Sequence, residues 1–161
     1  MELGKSVQKN KGFTLIELMV TIAVLAIITT IATPYFTSLI IKQNLKSTTY
    51  AMRDTLKEAR SHAILNRNEA IVCVSSITES ECQGKLTNSA SLSDSLKKDS
   101  TFFVNLKNKV KLSDLSDNYI VFTARGNLIS TKKIIFCSSA GSYILLINIL
   151  GSIDISEGAA C

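Results

Sequence analysis

Hydrophobic positions fall into three regimes along the chain. From Leu18 to Ile41 there are 24 consecutive residues without a charge, and extending back to Phe13 gives 29 residues whose sole charge is Glu17. About 20 apolar residues of helix cross a bilayer core, so this block is long enough to span one. Residues 1–12, ahead of it, carry Lys5, Lys9 and Lys11 against Glu2. Positive flanks stay on the cytoplasmic side, which sends the remainder of the chain out of the cytoplasm. No small-residue cut site of the ordinary secretory kind follows Ala32, where Thr33-Pro34-Tyr35 stands instead.

Past Pro34 the pattern becomes amphipathic. Leu45, Met52, Leu56, Ala59 and Ala63 share one helical face, while Lys46, Arg53, Asp54, Lys57, Glu58 and Arg60 take the other positions. The pattern predicts one helix from about Phe13 to Arg67, stopped at Asn66-Arg67-Asn68 and bent at Pro34, which removes a backbone hydrogen bond. Runs rich in Ile, Val, Phe and Tyr then predict strands at 69–75, 101–106, 119–124, 133–138 and 143–149, with a further one at 152–156. The turn-prone stretches Arg125-Gly126-Asn127, Ser139-Ala140-Gly141-Ser142 and Leu150-Gly151 favour antiparallel hairpins over crossover helices. Thr78 to Ser100, rich in serine and poor in large apolar residues, reads as a mobile surface loop. The expected class is α+β, a long helix packed on an antiparallel sheet.

Composition narrows the function. A chain of 161 residues holds one modest domain plus an appendage, leaving no room for a second catalytic domain. The formal charge is +5, and without residues 1–12 it becomes +3, too mild to argue for nucleic acid. Cys73, Cys82, Cys137 and Cys161 all follow the apolar block and suit two disulfides in an oxidising compartment. Of the three pairings, Cys73 with Cys82 and Cys137 with Cys161 are the expected ones. No C-x-x-C pair or nearby histidine supports a zinc site, and no cofactor is implied. His62 is the single histidine; with no G-x-S-x-G elbow and only scattered acids, nothing builds a catalytic triad around it, so an enzyme is not expected.

Residues 11–17 read Lys-Gly-Phe-Thr-Leu-Ile-Glu, followed by Leu18-Met19-Val20. This resembles the prepilin signature of type IV pilins and type II secretion pseudopilins. The resemblance implies the type IV pilin fold and cleavage by prepilin peptidase between Gly12 and Phe13. It also implies N-methylation of Phe13 and use of Glu17 as the assembly residue. It divides the chain into a leader (1–12), a membrane and filament-core helix (13–41) and a periplasmic globular domain (42–161). Other major and minor pilins, the inner-membrane assembly platform and membrane lipid are the implied partners. The subunit would sit in the inner membrane with its C-terminal domain periplasmic, then in a filament at the surface of a Gram-negative cell. Glycine suits a cleavage site because a protease gains close access to its backbone. A carboxylate within an apolar helix is costly alone and suited to a neighbour's terminal amine. A helix-start acid favoured by the macrodipole is the plainer reading of Glu17.

The body resembles the GspH/FimT-like group, which includes the type II secretion pseudopilin H and the minor pilins FimT and FimU. The resemblance rests on Glu58-Ala59-Arg60-Ser61-His62-Ala63 with Asn66 and Ala70-Ile71-Val72-Cys73, on Val121-Phe122 with Gly126, and on Ile135-Phe136-Cys137. DNA-binding members share a glycine-arginine-x-arginine patch near the C-terminus. The corresponding place here is Gly151-Ser152-Ile153-Asp154, with neither arginine. A minor pilin that helps start assembly at or near the filament tip is the favoured reading, with consequences for adhesion, twitching or transformation. The alternatives are a DNA-uptake pilin and a type II secretion pseudopilin. For DNA the contacts would be Lys107, Lys109 and Lys111 with Arg125, Lys132 and Lys133, diluted by Asp94, Asp99, Asp114 and Asp117.

Overall fold

The computed structural model describes residues 12–87 and 93–159. The chain divides into two compact units, Met1–Thr37 and Ser38–Cys161. Helix α1, Leu15–Asn66, contributes to both. Within the first unit, Leu15–Ala32 is long and apolar enough to cross a membrane, and none of it is buried. The hydroxyls of Thr21, Thr29 and Thr30 donate to the carbonyls of Leu18, Ala26 and Ile27 at 2.8, 2.9 and 2.7 Å. These polar groups are therefore satisfied inside the helix, as a lipid surrounding requires. The backbone remains helical through Pro34, whose side chain lies outside the described residues.

In the second unit the amphipathic face behaves as its spacing predicts, with Leu45, Met52, Leu56, Ala59 and Ala63 all buried. Full burial of a side chain such as Leu56 contributes about 1.5–3 kcal/mol. The chain continues through β1 (Ala70–Val74), α2 (Glu79–Gln83), α3 (Asp94–Asp99), β2 (Thr101–Val104), β3 (Lys111–Leu112), β4 (Tyr119–Phe122), β5 (Lys132–Ser138), β6 (Gly141–Ile147) and β7 (Ile153–Gly158). The strands form two sheets, ordered β2-β1-β4 and β3-β5-β6-β7. One core joins the α1 face to Val72, Phe122, Ile134, Phe136, Leu145 and Ile147 from both sheets. The result is an α+β architecture, a long helix followed by a β region, consistent with the type IV pilin fold.

Three expectations are corrected. The β region is not one antiparallel sheet: β1 runs parallel to β2, with Ile71 opposite Thr101 and Val74 opposite Val104. A parallel pair needs a crossover, and the connection carrying α2 and α3 supplies it. Secondly, Arg125-Gly126-Asn127 does not join a hairpin, because β4 pairs with β1 while β5 pairs with β3 and β6. The other two turns do link antiparallel neighbours, β5 with β6 and β6 with β7.

Thirdly, Thr78–Ser100 is not one mobile loop, since it contains α2 and α3; residues 88–92 lie outside the described residues. Thr78 caps α2 with its side chain, and Ser93 and Ser100 stand at the two ends of α3. Thr78 and Glu81 form a reciprocal capping box, with Thr78 N–H donating to Glu81 Oε2 at 3.0 Å. Cys82 and Leu86 pack on the outer face of β1 beside Ile71 and Cys73, which buries β1 on both faces.

Candidate functional site

Helix α1 begins with unpaired backbone N–H groups, and Thr14-Leu15-Ile16-Glu17 supplies the means to satisfy them. Glu17 N–H donates to Thr14 Oγ1 at 3.3 Å, while Thr14 N–H and its hydroxyl donate to Glu17 Oε2 at 3.3 and 3.2 Å. This is a capping box, and the positive end of the helix dipole favours the same carboxylate. Glu17 is thus a helix-start acid in the single chain. Its second oxygen, Oε1, makes no hydrogen bond among the described residues.

The residues around it are bare. Phe13 is 76% exposed, and Leu15, Ile16, Leu18 and Met19 are exposed too. A contiguous apolar surface of this kind needs lipid or protein to cover it. At Gly12 a Cβ would meet nothing within 4 Å, so the fold itself places no demand for glycine there.

Cys73 and Cys82 form a disulfide with Cα atoms 6.2 Å apart, joining β1 to α2 as expected. Of the expected pair Cys137 and Cys161, Cys161 lies outside the described residues. The ring of His62 packs edge-on against Phe102 with centroids 5.5 Å apart, and its Nε2 faces Asn66 Nδ2 at 2.8 Å. It is a packing residue at the helix end.

The six basic residues considered for DNA do not converge. Lys111 pairs opposite Cys137, whereas Lys132 and Lys133 begin the same β5 strand, about 17 Å away at the rise of extended chain. Lys132 Nζ is held by Asp117 at 2.9 Å, and Asp117 also accepts the Lys133 N–H at 2.8 Å. Lys107 Nζ reaches Ser47 at 2.7 Å, and Lys109 sits in a turn with φ 67°. Arg125 stands apart, in the Thr123–Asn127 turn. Within Gly151-Ser152-Ile153-Asp154, Gly151 takes φ 78° and Asp154 is exposed on β7 opposite Leu146.

Sequence reasoning missed Arg60, which it counted among solvent-facing charges. Its guanidinium donates from Nε to Gly126 O at 2.9 Å, and its two terminal nitrogens donate to Gly151 O at 3.1 Å and Leu150 O at 2.8 Å. Two turn glycines far apart in sequence, with one arginine at the helix end, were the available signal. Tyr143, whose hydroxyl donates to Glu157 at 2.8 Å, has its pKa raised above 10.0, first by that hydrogen bond, then by burial and nearby charge.

Comparison with known families matches residues 7–33 to the prokaryotic N-terminal methylation motif. That region contains Gly12, Phe13 and Glu17. No curated protein and no solved structure matches the chain. The motif and the apolar helix together support a type IV pilin-like protein, membrane-anchored, processed by prepilin peptidase and assembled with other pilins.

Proposed function

We propose that this chain is a minor pilin of a type IV pilus that helps initiate assembly at or near the filament tip. The observation that carries the pilin part is the methylation motif laid over a bare apolar helix whose one carboxylate is Glu17. Cleavage falls between Gly12 and Phe13, Phe13 becomes the methylated N-terminus, and Pro34 gives the helix a bend. Glu17 Oε1, left unbonded by the capping box, accepts the terminal amine of Phe13 on a neighbouring subunit. That pairing replaces an isolated carboxylate in an apolar setting by a satisfied ion pair. Resemblance of the scattered stretches Glu58–Ala63 with Asn66 and Ala70–Cys73, Val121-Phe122 with Gly126, and Ile135–Cys137 to the GspH/FimT-like group supports a minor rather than a major subunit.

Gly12→Leu separates processing from folding, because the fold tolerates a side chain there. The expected result is an uncut precursor in the membrane with the globular unit intact. Mass spectrometry of the parent protein from cells should find a chain beginning at N-methyl Phe13. Assembled filaments containing intact Met1 would refute the reading. Loss of piliation together with twitching on gene deletion supports the initiating role, and loss of exoprotein secretion alone replaces it with the secretion pseudopilin.

A further inference from the structure

A cleft of about 420 Å³ lies between the end of α1 and the 123–127 turn, lined by Arg67, Asn68, Glu69, Thr123, Arg125 and Asn127. Nothing in the assembly chemistry of Glu17 uses it. Arg67 closes the helix with φ 50°, and Asn68 N–H returns to Ala63 O at 3.2 Å. Glycine is the usual residue at this left-handed closing position, because an L side chain there costs about 1–2 kcal/mol. A strained backbone is one mark of a functional position, and Arg67 carries such strain at the edge of the cleft.

Arg125 is held as firmly. The turn that carries it closes through Gly126 N–H to Thr123 O at 2.8 Å and Thr123 N–H to Asn127 O at 2.9 Å. Arg60 pins the same turn through Gly126 O at 2.9 Å. Neither Arg67 nor Arg125 has an ion pair within 4.0 Å among the described residues.

Two carboxamides line the same cleft. Asn68 Oδ1 accepts the Glu69 N–H at 2.9 Å, and Asn127 Oδ1 receives the Thr123 hydroxyl. Each carboxamide oxygen already accepts one bond, and both NH₂ groups remain without a hydrogen-bond partner among the described residues. The one carboxylate lining the cleft, Glu69, accepts the Thr87 N–H through Oε2 at 2.8 Å. Two guanidiniums and two amide donors against one engaged carboxylate make a site for an anion with several acceptor oxygens.

We infer that this cleft binds a phosphate group through Arg67 and Arg125, whose planar forks match phosphate oxygens in pairs. The test uses the full-length chain in an uncharged detergent, titrated with inorganic phosphate and pyrophosphate by calorimetry. Saturable binding is expected, weakened about tenfold or more by Arg67→Gln or by Arg125→Gln and lost in the double variant.

Arg67→Gly divides the side chain from the backbone, since glycine keeps the turn and removes the fork. Binding lost in that variant supports the site; binding equal to the parent's overturns it, leaving Arg67 as a helix terminator. Absence of saturable pyrophosphate binding, or binding unchanged in the double variant, overturns it as well. Once pyrophosphate binding is in hand, displacement by a short DNA duplex assigns the site to nucleic acid, and displacement by phosphatidylglycerol vesicles to lipid. Displacement by neither assigns it to free phosphate. None of these readouts depends on filament formation, so their failure is separate from failure of the pilin reading.

Discussion

Arg60 and Gly151 meet across 91 positions of sequence, the guanidinium donating to the glycine carbonyl at 3.1 Å. The same side chain also holds Leu150 and Gly126, so one residue of α1 fastens the β6–β7 turn and the β4–β5 connection to the helix end. Gly151 has φ 78°, and a Cβ there would stand 2.8 Å from Gly126 O and 2.9 Å from Arg60 Nε. The glycine is what lets the three chain segments approach.

Replacing Arg60 by Met leaves three carbonyls without their charged donor. Urea unfolding should show a loss of about 2–3 kcal/mol, less than the sum of separate bonds because the site is partly open to water. Arg60→Lys should recover only part of it, since one ammonium cannot reach three carbonyls in the planar arrangement. Gly151→Ala should destabilise by about 1 kcal/mol or more through the left-handed backbone alone.

Glu17 carries two roles that substitution can divide. Thr14→Ala removes the capping box but keeps the carboxylate, and should fray the helix start by about 1 kcal/mol while subunits still enter filaments. Glu17→Ala should leave the globular unit folded and reduce incorporation about tenfold or more, counted by immunoblot of sheared filaments against the membrane pool. Equal losses in both variants would reduce Glu17 to a helix cap.

The Cys73–Cys82 bridge closes a short loop over the outer face of β1, where both cysteines are fully buried. Changing both to Ser should lower stability by about 2–3 kcal/mol through the freed unfolded chain alone. The urea midpoint should fall, and proteolysis should open the α2 segment first. An unchanged midpoint would mean that α2 is held by packing with Leu86 and Ile77 instead.

Acid should loosen the same segment. The Glu81 pKa is lowered from 4.5, first by the Thr78 backbone N–H, then by the Thr78 hydroxyl and by Lys85. A depressed folded-state value means stability that is present above 4.5 and is lost as pH falls through that lower value. Between about pH 6 and about pH 3, protection of the α2 amides relative to the free-chain exchange rate at each pH should fall in the parent and change less in Glu81→Gln. The reverse order would contradict the capping assignment.

Patterns confined to one element were legible in the sequence. The heptad-like run through Leu45, Met52 and Leu56 foretold the buried face of α1, and the run Ala70-Ile71-Val72-Cys73-Val74 foretold a strand, whose burial on both faces came only with the structure. Partners chosen across the fold were not legible. The parallel pairing of β1 with β2 depends on a crossover whose helices are short and capped by serine and threonine, the residue types that also mark loops. Arg60 sat on the polar side of the helix pattern, and periodicity reports which face a residue takes without saying whether a backbone carbonyl waits there. At the N-terminus the motif was plain and the helix-start reading of Glu17 was available, yet the part of Thr14 in a capping box went unread because a lone threonine inside an apolar motif carries no pattern of its own.

The dispersal of the lysines bears on DNA. Affinity for duplex comes from several cations facing one backbone at once, each releasing counterions. Lys111, on β3, lies opposite Cys137 near one end of β5, Lys132 begins the other end and is held by Asp117, and Asp154 adds an exposed negative charge on β7. The full-length chain in uncharged detergent should therefore bind a short duplex only at the non-specific level, with Kd about 10⁻⁴ to 10⁻⁶ M at physiological salt. Changing Lys107, Lys109 and Lys111 to Glu should alter that little, because Lys107 is turned toward Ser47 and the other two lie beside Cys137 and Ser138. Whatever duplex binding remains should instead fall with Arg67→Gln and Arg125→Gln, the two cations that share a cleft. Sub-micromolar binding with a steep salt slope, abolished by the three lysine changes, would make the chain a DNA receptor and place its contacts on the β3 edge.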